Sequence, residues 1–245
     1  MSKETEMKYL KEKLSEVRYK PDRFTVFCGE DKFIFGFRSA NGVLSSMVKL
    51  MQYKTIYSTL VDLDWKVKHS FNEALKYAYS EQLQKDFSIL QVTVSEEEKL
   101  AFYYVENALF RTLSSWDMLA QLYRLYYDIN VAKEKVYYKQ IFDPEKQYCV
   151  KFLERARKIK AYFEQENDTD CEGMWRGNHS FVNDLRNKMT HRNSPNVAVM
   201  SDFDVNFKLH PCFLIKRIIE DYTISFVFIR EILDDIGKEI IEAFD

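Results

Sequence analysis

Turn-making residues are scarce in this chain: 6 Gly and 4 Pro among 245 residues. A sandwich or barrel, with a turn roughly every 8 to 12 residues, needs more of both, and a disordered tail needs more still. Long helices remain. An excess of charge of one sign is also lacking, because 36 Lys and Arg stand against 38 Asp and Glu, a formal net charge of −2. Without a global positive field, any contact with nucleic acid has to be local. Long hydrophobic runs are missing as well. The longest weakly polar stretch, Tyr222 to Ile229, is bounded by Asp221 and Arg230, far short of the ~20 residues of a membrane span. The charged start, MSKETEMKYLKEK, does not read as a signal peptide. Cys28, Cys149, Cys171 and Cys212 lie 22 or more residues apart with no CxxC, which suits neither a zinc site nor a disulfide framework. The expectation is a cytoplasmic protein with reduced thiols and no membrane partner. Walker, GxSxG, HExxH and GxGxxG motifs are absent, and His69, His179 and His210 lack neighbours at ligand spacing, so no cofactor and no metal is expected.

What the chain does have is apolar material, 46% hydrophobic and 16% aromatic, enough for a packed core. After a short amphipathic start, Phe24, Val26 and Cys28 alternate, as do Phe33, Phe35 and Phe37, which predicts a β-hairpin over about 24–37. It is read as a cap on the bundle. Helical spacing from Val43 to Gln91 predicts one or two helices. Ser95 followed by Glu96, Glu97 and Glu98 is an N-cap with acids in the first turn, and the stripe Phe102, Val105, Leu109, Leu113, Trp116, Ala120, Tyr123 and Tyr127 makes the next helix a core helix. Pro144 is expected to open another helix. A short polar helix from about Asn178 to Arg192 ends before Pro195, and a heptad seam from Ile215 to Ile240 closes the chain. The expected fold is all-α: an extension over residues 1–94, then a four-helix bundle over residues 95–245.

The segment most informative about chemistry is Asp184-Leu185-Arg186-Asn187-Lys188-Met189-Thr190-His191. The R-x4-H spacing alone arises by chance roughly 0.6 times in a chain of this composition, and requiring Asn directly after the Arg lowers that to about 0.03. On those residues, and on their place in a short helix of an all-α pattern, the chain resembles the HEPN superfamily, whose third core helix bears R-x4-6-H, often as R-N-x-x-x-H. The resemblance covers residues 95–245. It implies a metal-independent endoribonuclease, in many members a toxin or host-defence effector, with two motifs meeting across a homodimer. Members often carry an acidic residue on the preceding helix that orients the Arg; Asp117 is the matching position, with Glu106 as the alternative. Some members are controlled by an antitoxin that modifies a Tyr two residues after the His. That position here is Asn193, which argues against this mode of control.

The residue types suit the chemistry in their own right. Cleaving RNA by 2′-hydroxyl attack needs a group that moves protons near neutral pH, which His191 supplies, and a fixed cation for the dianionic phosphorane, which Arg186 supplies. Near a helix C-terminus His191 is favoured as imidazolium and is suited to act as general acid. Asn187 is placed to bond the phosphate or orient the imidazole. Lys151, Arg155 and Lys158 form a basic line with Tyr162, a candidate track for RNA phosphates with a stacking ring. The runner-up is a catalytically silent helical protein that uses the same polar groove to bind a nucleotide, RNA or a protein partner.

Overall fold

A computed structural model of the chain describes residues 2–21, 23–24, 26–28, 31–33, 43–91, 95–167, 175–191, 196–197, 199–200 and 205–242. It is an all-α helical bundle. Three long helices form its frame: α2 (Val43–Ala78), α4 (Glu96–Tyr126) and α8 (Pro211–Glu242). Around them stand α1 (Lys3–Glu16), α3 (Glu81–Asp86), α5 (Tyr138–Ile141), α6 (Leu153–Phe163) and α7 (Asn178–His191). Two short antiparallel ladders complete the list, β1 (Val26–Cys28) with β2 (Asp31–Phe33) and β3 (Val199–Met200) with β4 (Val205–Asn206). In the first, Val26 faces Phe33 and Cys28 faces Asp31; Phe35 and Phe37 of the expected hairpin lie outside the described residues. No described helix is long and apolar enough to cross a membrane.

Local chemistry explains where the helices begin. Ser2, Ser80 and Ser95 each take the N–H three residues on, at 3.2 Å, as N-caps of α1, α3 and α4, satisfying donors that a helix start leaves unpaired. Pro211 opens α8, where its missing N–H costs nothing. Pro144 does not act this way. Residues 144–146 turn, Gln147–Phe152 is a 3₁₀ segment, and α6 starts only at Leu153.

The core is one continuous cluster with Trp116 at 0% exposure. α4 is buried on two flanks because α2 covers one and α8 the other: besides the predicted stripe, Ala101, Ala108, Thr112, Ser115, Leu119 and Leu122 are buried. α2 is the most extensive partner of α4, and α1 packs on α8. The division expected at 94/95 therefore falls inside a shared core.

α8 is likewise more than a seam. Ile215, Ile219, Tyr222, Phe226, Ile229, Leu233 and Ile236 are buried as the heptad requires, but so are Arg217, Glu220, Asp221 and Ser225. Charged groups at that depth need partners. α7 supplies many of them, which fixes where the motif helix sits.

Candidate functional site

The N-terminal end of α7 is bolted to α8. Glu220 Oε2 accepts the Trp175 N–H at 3.0 Å and Asn178 Nδ2 at 2.9 Å, and its Oε1 accepts the Tyr9 hydroxyl at 3.1 Å. Burial raises the Glu220 carboxyl above its ordinary range, against the pull of these donors. Arg217 Nε donates to Asn178 Oδ1, Nη2 reaches Asn167 Oδ1 at 2.8 Å, and the guanidinium lies over the Phe181 ring at 4.4 Å. Gly177, at φ +65°, carries the chain into α7 where a Cβ would meet the Glu166 carbonyl oxygen at 2.4 Å. Only glycine fits there.

Directly after Asn178, His179 is fully buried and lies against Asp221 (Nδ1 to Oδ1, 3.3 Å) and the Tyr138 hydroxyl (Nε2 to Oη, 3.1 Å). Asp221 also receives the Trp116 indole N–H at 3.1 Å and the Tyr162 hydroxyl at 2.9 Å. Asn183, one turn on, accepts the Tyr138 hydroxyl at 3.4 Å and Arg186 Nη2 at 3.3 Å through the same oxygen.

Arg186 is thus the outer end of a polar chain that begins at Asp221. Asp117 belongs to its surroundings. Burial raises the Asp117 carboxyl above the usual range, while the Tyr138 backbone N–H and the Arg186 guanidinium both act to lower it. Glu106, by contrast, stands three turns back along α4, roughly 16 Å away on helical rise. Lys139 stands nearby: partial burial and the Arg186 charge hold its ammonium below the ordinary lysine value, Asp184 opposes them, and the side chain keeps access to water. Asn187 is exposed on α7. His191 is the last residue of α7, about 140° round the axis from Arg186 by helical geometry; its side chain, like Asn193, lies outside the described residues.

The basic line is employed differently from the sequence expectation. Arg155 pairs with Asp235 at 2.5 Å, and Lys151 donates to the Tyr127 carbonyl at 2.8 Å. Tyr162 turns inward, with its ring stacked on Trp116 at 5.7 Å and its hydroxyl on Asp221, so one ring face and the hydroxyl are taken up within the protein. Lys158 is exposed. The cause is geometric: Arg155 and Tyr162 of α6 face α8, whose acids Asp235 and Asp221 take them up.

His179, Tyr138, Asn183 and Asp221 went unread in the sequence. Two signals pointed to them: the charges Arg217, Glu220 and Asp221 interrupt an apolar seam, and His179 repeats at i, i+4 with Asn183 on the motif helix. A groove of about 800 Å³ between α2 and α4, lined by Met51, Thr55, Ile56, Met118, Gln121 and Leu125 among others, includes none of the motif residues. Among the described residues no three His, Cys, Asp or Glu side chains gather as a metal site would require. Comparison with protein-family models, with curated proteins and with solved structures returns no match.

Proposed function

We propose that the protein is a HEPN-type endoribonuclease that cleaves RNA by attack of the 2′-hydroxyl, with Arg186 and His191 at a cleft completed by a second copy of the chain. The observation that supports the reading most is the environment of Asp117, the acid matched to the motif Arg by resemblance, whose carboxyl feels the Arg186 guanidinium from a different helix. Arg186 stabilises the phosphorane, His191 protonates the leaving 5′-oxygen, Asn187 bonds the phosphate, and Asp117 orients Arg186. One Arg and one His per chain make a sparse site, and a homodimer doubles both. A role as a toxin or defence effector, with an antitoxin partner, goes with that reading. The pairing of Arg155 and the inward hydroxyl of Tyr162 withdraw two residues from the expected RNA track, which favours the silent alternative in its nucleotide- or protein-binding form.

The deciding experiment is an RNA panel incubated with wild type, His191→Ala and Arg186→Lys, with and without EDTA. His191→Ala is expected to lose about 10²- to 10⁴-fold in rate while RNA affinity stays near wild type. Arg186→Lys keeps the charge and loses the two-pronged fork, so rate falls more than binding. EDTA should change nothing, and products should end in a 2′,3′-cyclic phosphate or the 3′-phosphate from its hydrolysis. Equal cleavage by wild type and His191→Ala would assign the activity to a contaminant, and binding without cleavage would select the silent module.

A further inference from the structure

Arg186 is held by little for a group asked to meet a phosphate. Among the described residues its guanidinium makes one hydrogen bond, from Nη2 to Asn183 Oδ1 at 3.3 Å, and its Nε is buried without a partner. Whatever aims Asn183 therefore aims Arg186.

Asn183 Oδ1 lies 3.4 Å from the Tyr138 hydroxyl, and that hydroxyl lies 3.1 Å from His179 Nε2. Behind the imidazole stands Asp221, with Nδ1 to Oδ1 at 3.3 Å. His179 and Asp221 are 0% exposed and Tyr138 is 1% exposed, so these bonds are shielded from bulk solvent. The Asp221 carboxylate, as an acceptor of the Trp116 and Tyr162 protons, also takes the one on His179 Nδ1. Nε2 is then left facing Tyr138, which has one proton to give. The Tyr138 oxygen stands between His179 Nε2 and Asn183 Oδ1, within hydrogen-bond reach of both, so the imidazole fixes where the hydroxyl meets Asn183. The titratable groups facing His179 are Asp221 from α8, Tyr138 from α5 and Tyr162 from α6, with Arg186 and Asp117 beyond Tyr138.

We propose that His179 is a positioning residue: seated on Asp221, it holds the Tyr138 hydroxyl against Asn183 and so immobilises the Arg186 guanidinium. Its catalytic consequence rests on the ribonuclease reading; the immobilisation does not. The long route, α8 to α7 to α5 and back to α7, ties the aim of Arg186 to three helices at once.

Tyr138→Phe is the informative variant, because it keeps the ring packed on Phe163 (5.2 Å) and Trp116 (6.4 Å) and removes only the hydroxyl. In ¹⁵N spectra of arginine side chains, the Arg186 signal should shift and its guanidinium should rotate several-fold faster than in wild type. The Arg217 signal, on the other network, should stay put as the control. His179→Gln, which removes the imidazole, should change the Arg186 signal in the same sense. An unchanged Arg186 signal in folded Tyr138→Phe overturns the proposal. If wild type cleaves RNA, Tyr138→Phe should lower kcat on the order of 10-fold with KM unchanged, and should add nothing in an Arg186→Lys background; equal losses in both backgrounds also overturn it. If wild type does not cleave, the ribonuclease reading falls and the Arg186 signal still decides the positioning.

Discussion

Lys208 and Glu98 bring opposite charges to 2.6 Å with side chains 1% and 7% exposed, and the Lys208 ammonium also lies over the Phe87 ring at 5.2 Å. From the sequence, Glu98 is a first-turn acid answering the α4 dipole. In the fold it is an anchor for the segment that leads into α8. Removing one partner of a buried pair leaves the other uncompensated, so Lys208→Met should cost about 3–5 kcal/mol in chemical denaturation, and Lys208→Met with Glu98→Leu should recover most of it. A double variant no more stable than the single would show that the pair's surroundings, not its charges, hold this corner. At this scale the readable residues were those whose role is local. The Ser95 cap needs only its own helix. Tyr162 and Asp221 were not readable, because their partners sit 59 residues apart in the chain and periodicity along one helix does not register what packs on its other flank.

Among the elements, α8 has a start that is sensitive to protons. His210 Nδ1 accepts the Cys212 N–H at 3.2 Å, and the ring packs on Phe87 at 4.7 Å. Burial lowers its pKa first, Lys3 adds to that, and Glu98 and Glu6 oppose it. With the folded value below the unfolded one, the contribution is present above about pH 6.5 and is lost as pH falls through the folded value. Protonation both removes the acceptor and sets a cation at a helix N-terminus. Thermal melts between pH 7 and 5 should therefore show a decline that His210→Asn, which keeps an acceptor and does not titrate, flattens. The raised Glu220 carboxyl works in the opposite sense, gaining stability as pH falls, so the difference between the two proteins is the quantity to compare. A parallel decline in both would exclude His210. The helix ends themselves were readable from caps and breakers; α7 spans Asn178–His191 where Asn178 to Arg192 was expected. The start of α6 was not, since the 3₁₀ segment before it is set by Cys149 and Phe152 reaching the core.

For the molecule as a whole, the all-α class follows from sparse glycine and proline and from helical periodicity, both visible in one dimension. Which helices make the bundle does not. Reading residues 1–94 as an extension of residues 95–245 does not register how far α2 lies along α4, the broadest helix contact among the described residues. A fragment of residues 95–245 should accordingly lack a cooperative melt and bind a hydrophobic dye, as a chain with secondary structure but no fixed packing does. A sharp transition at a temperature near that of the full chain would restore the two-part division.

The position of α8 in chain order has a consequence for how the protein is made. Every other described helix precedes it, yet α1, α2, α4 and α7 all close upon it. During synthesis from N- to C-terminus, the α2–α4 pair emerges with the flank meant for α8 still bare, and the buried acids Glu220 and Asp221 arrive only after Tyr9, Trp116 and Tyr162, the groups that satisfy them. The nascent chain is thus an unfinished core for the time needed to add more than eighty residues after α4, on the order of 4–16 s at ribosomal rates. The flanks of α1, α2, α4 and α7 that face α8 can be covered only once α8 has been made, so the core closes late in synthesis.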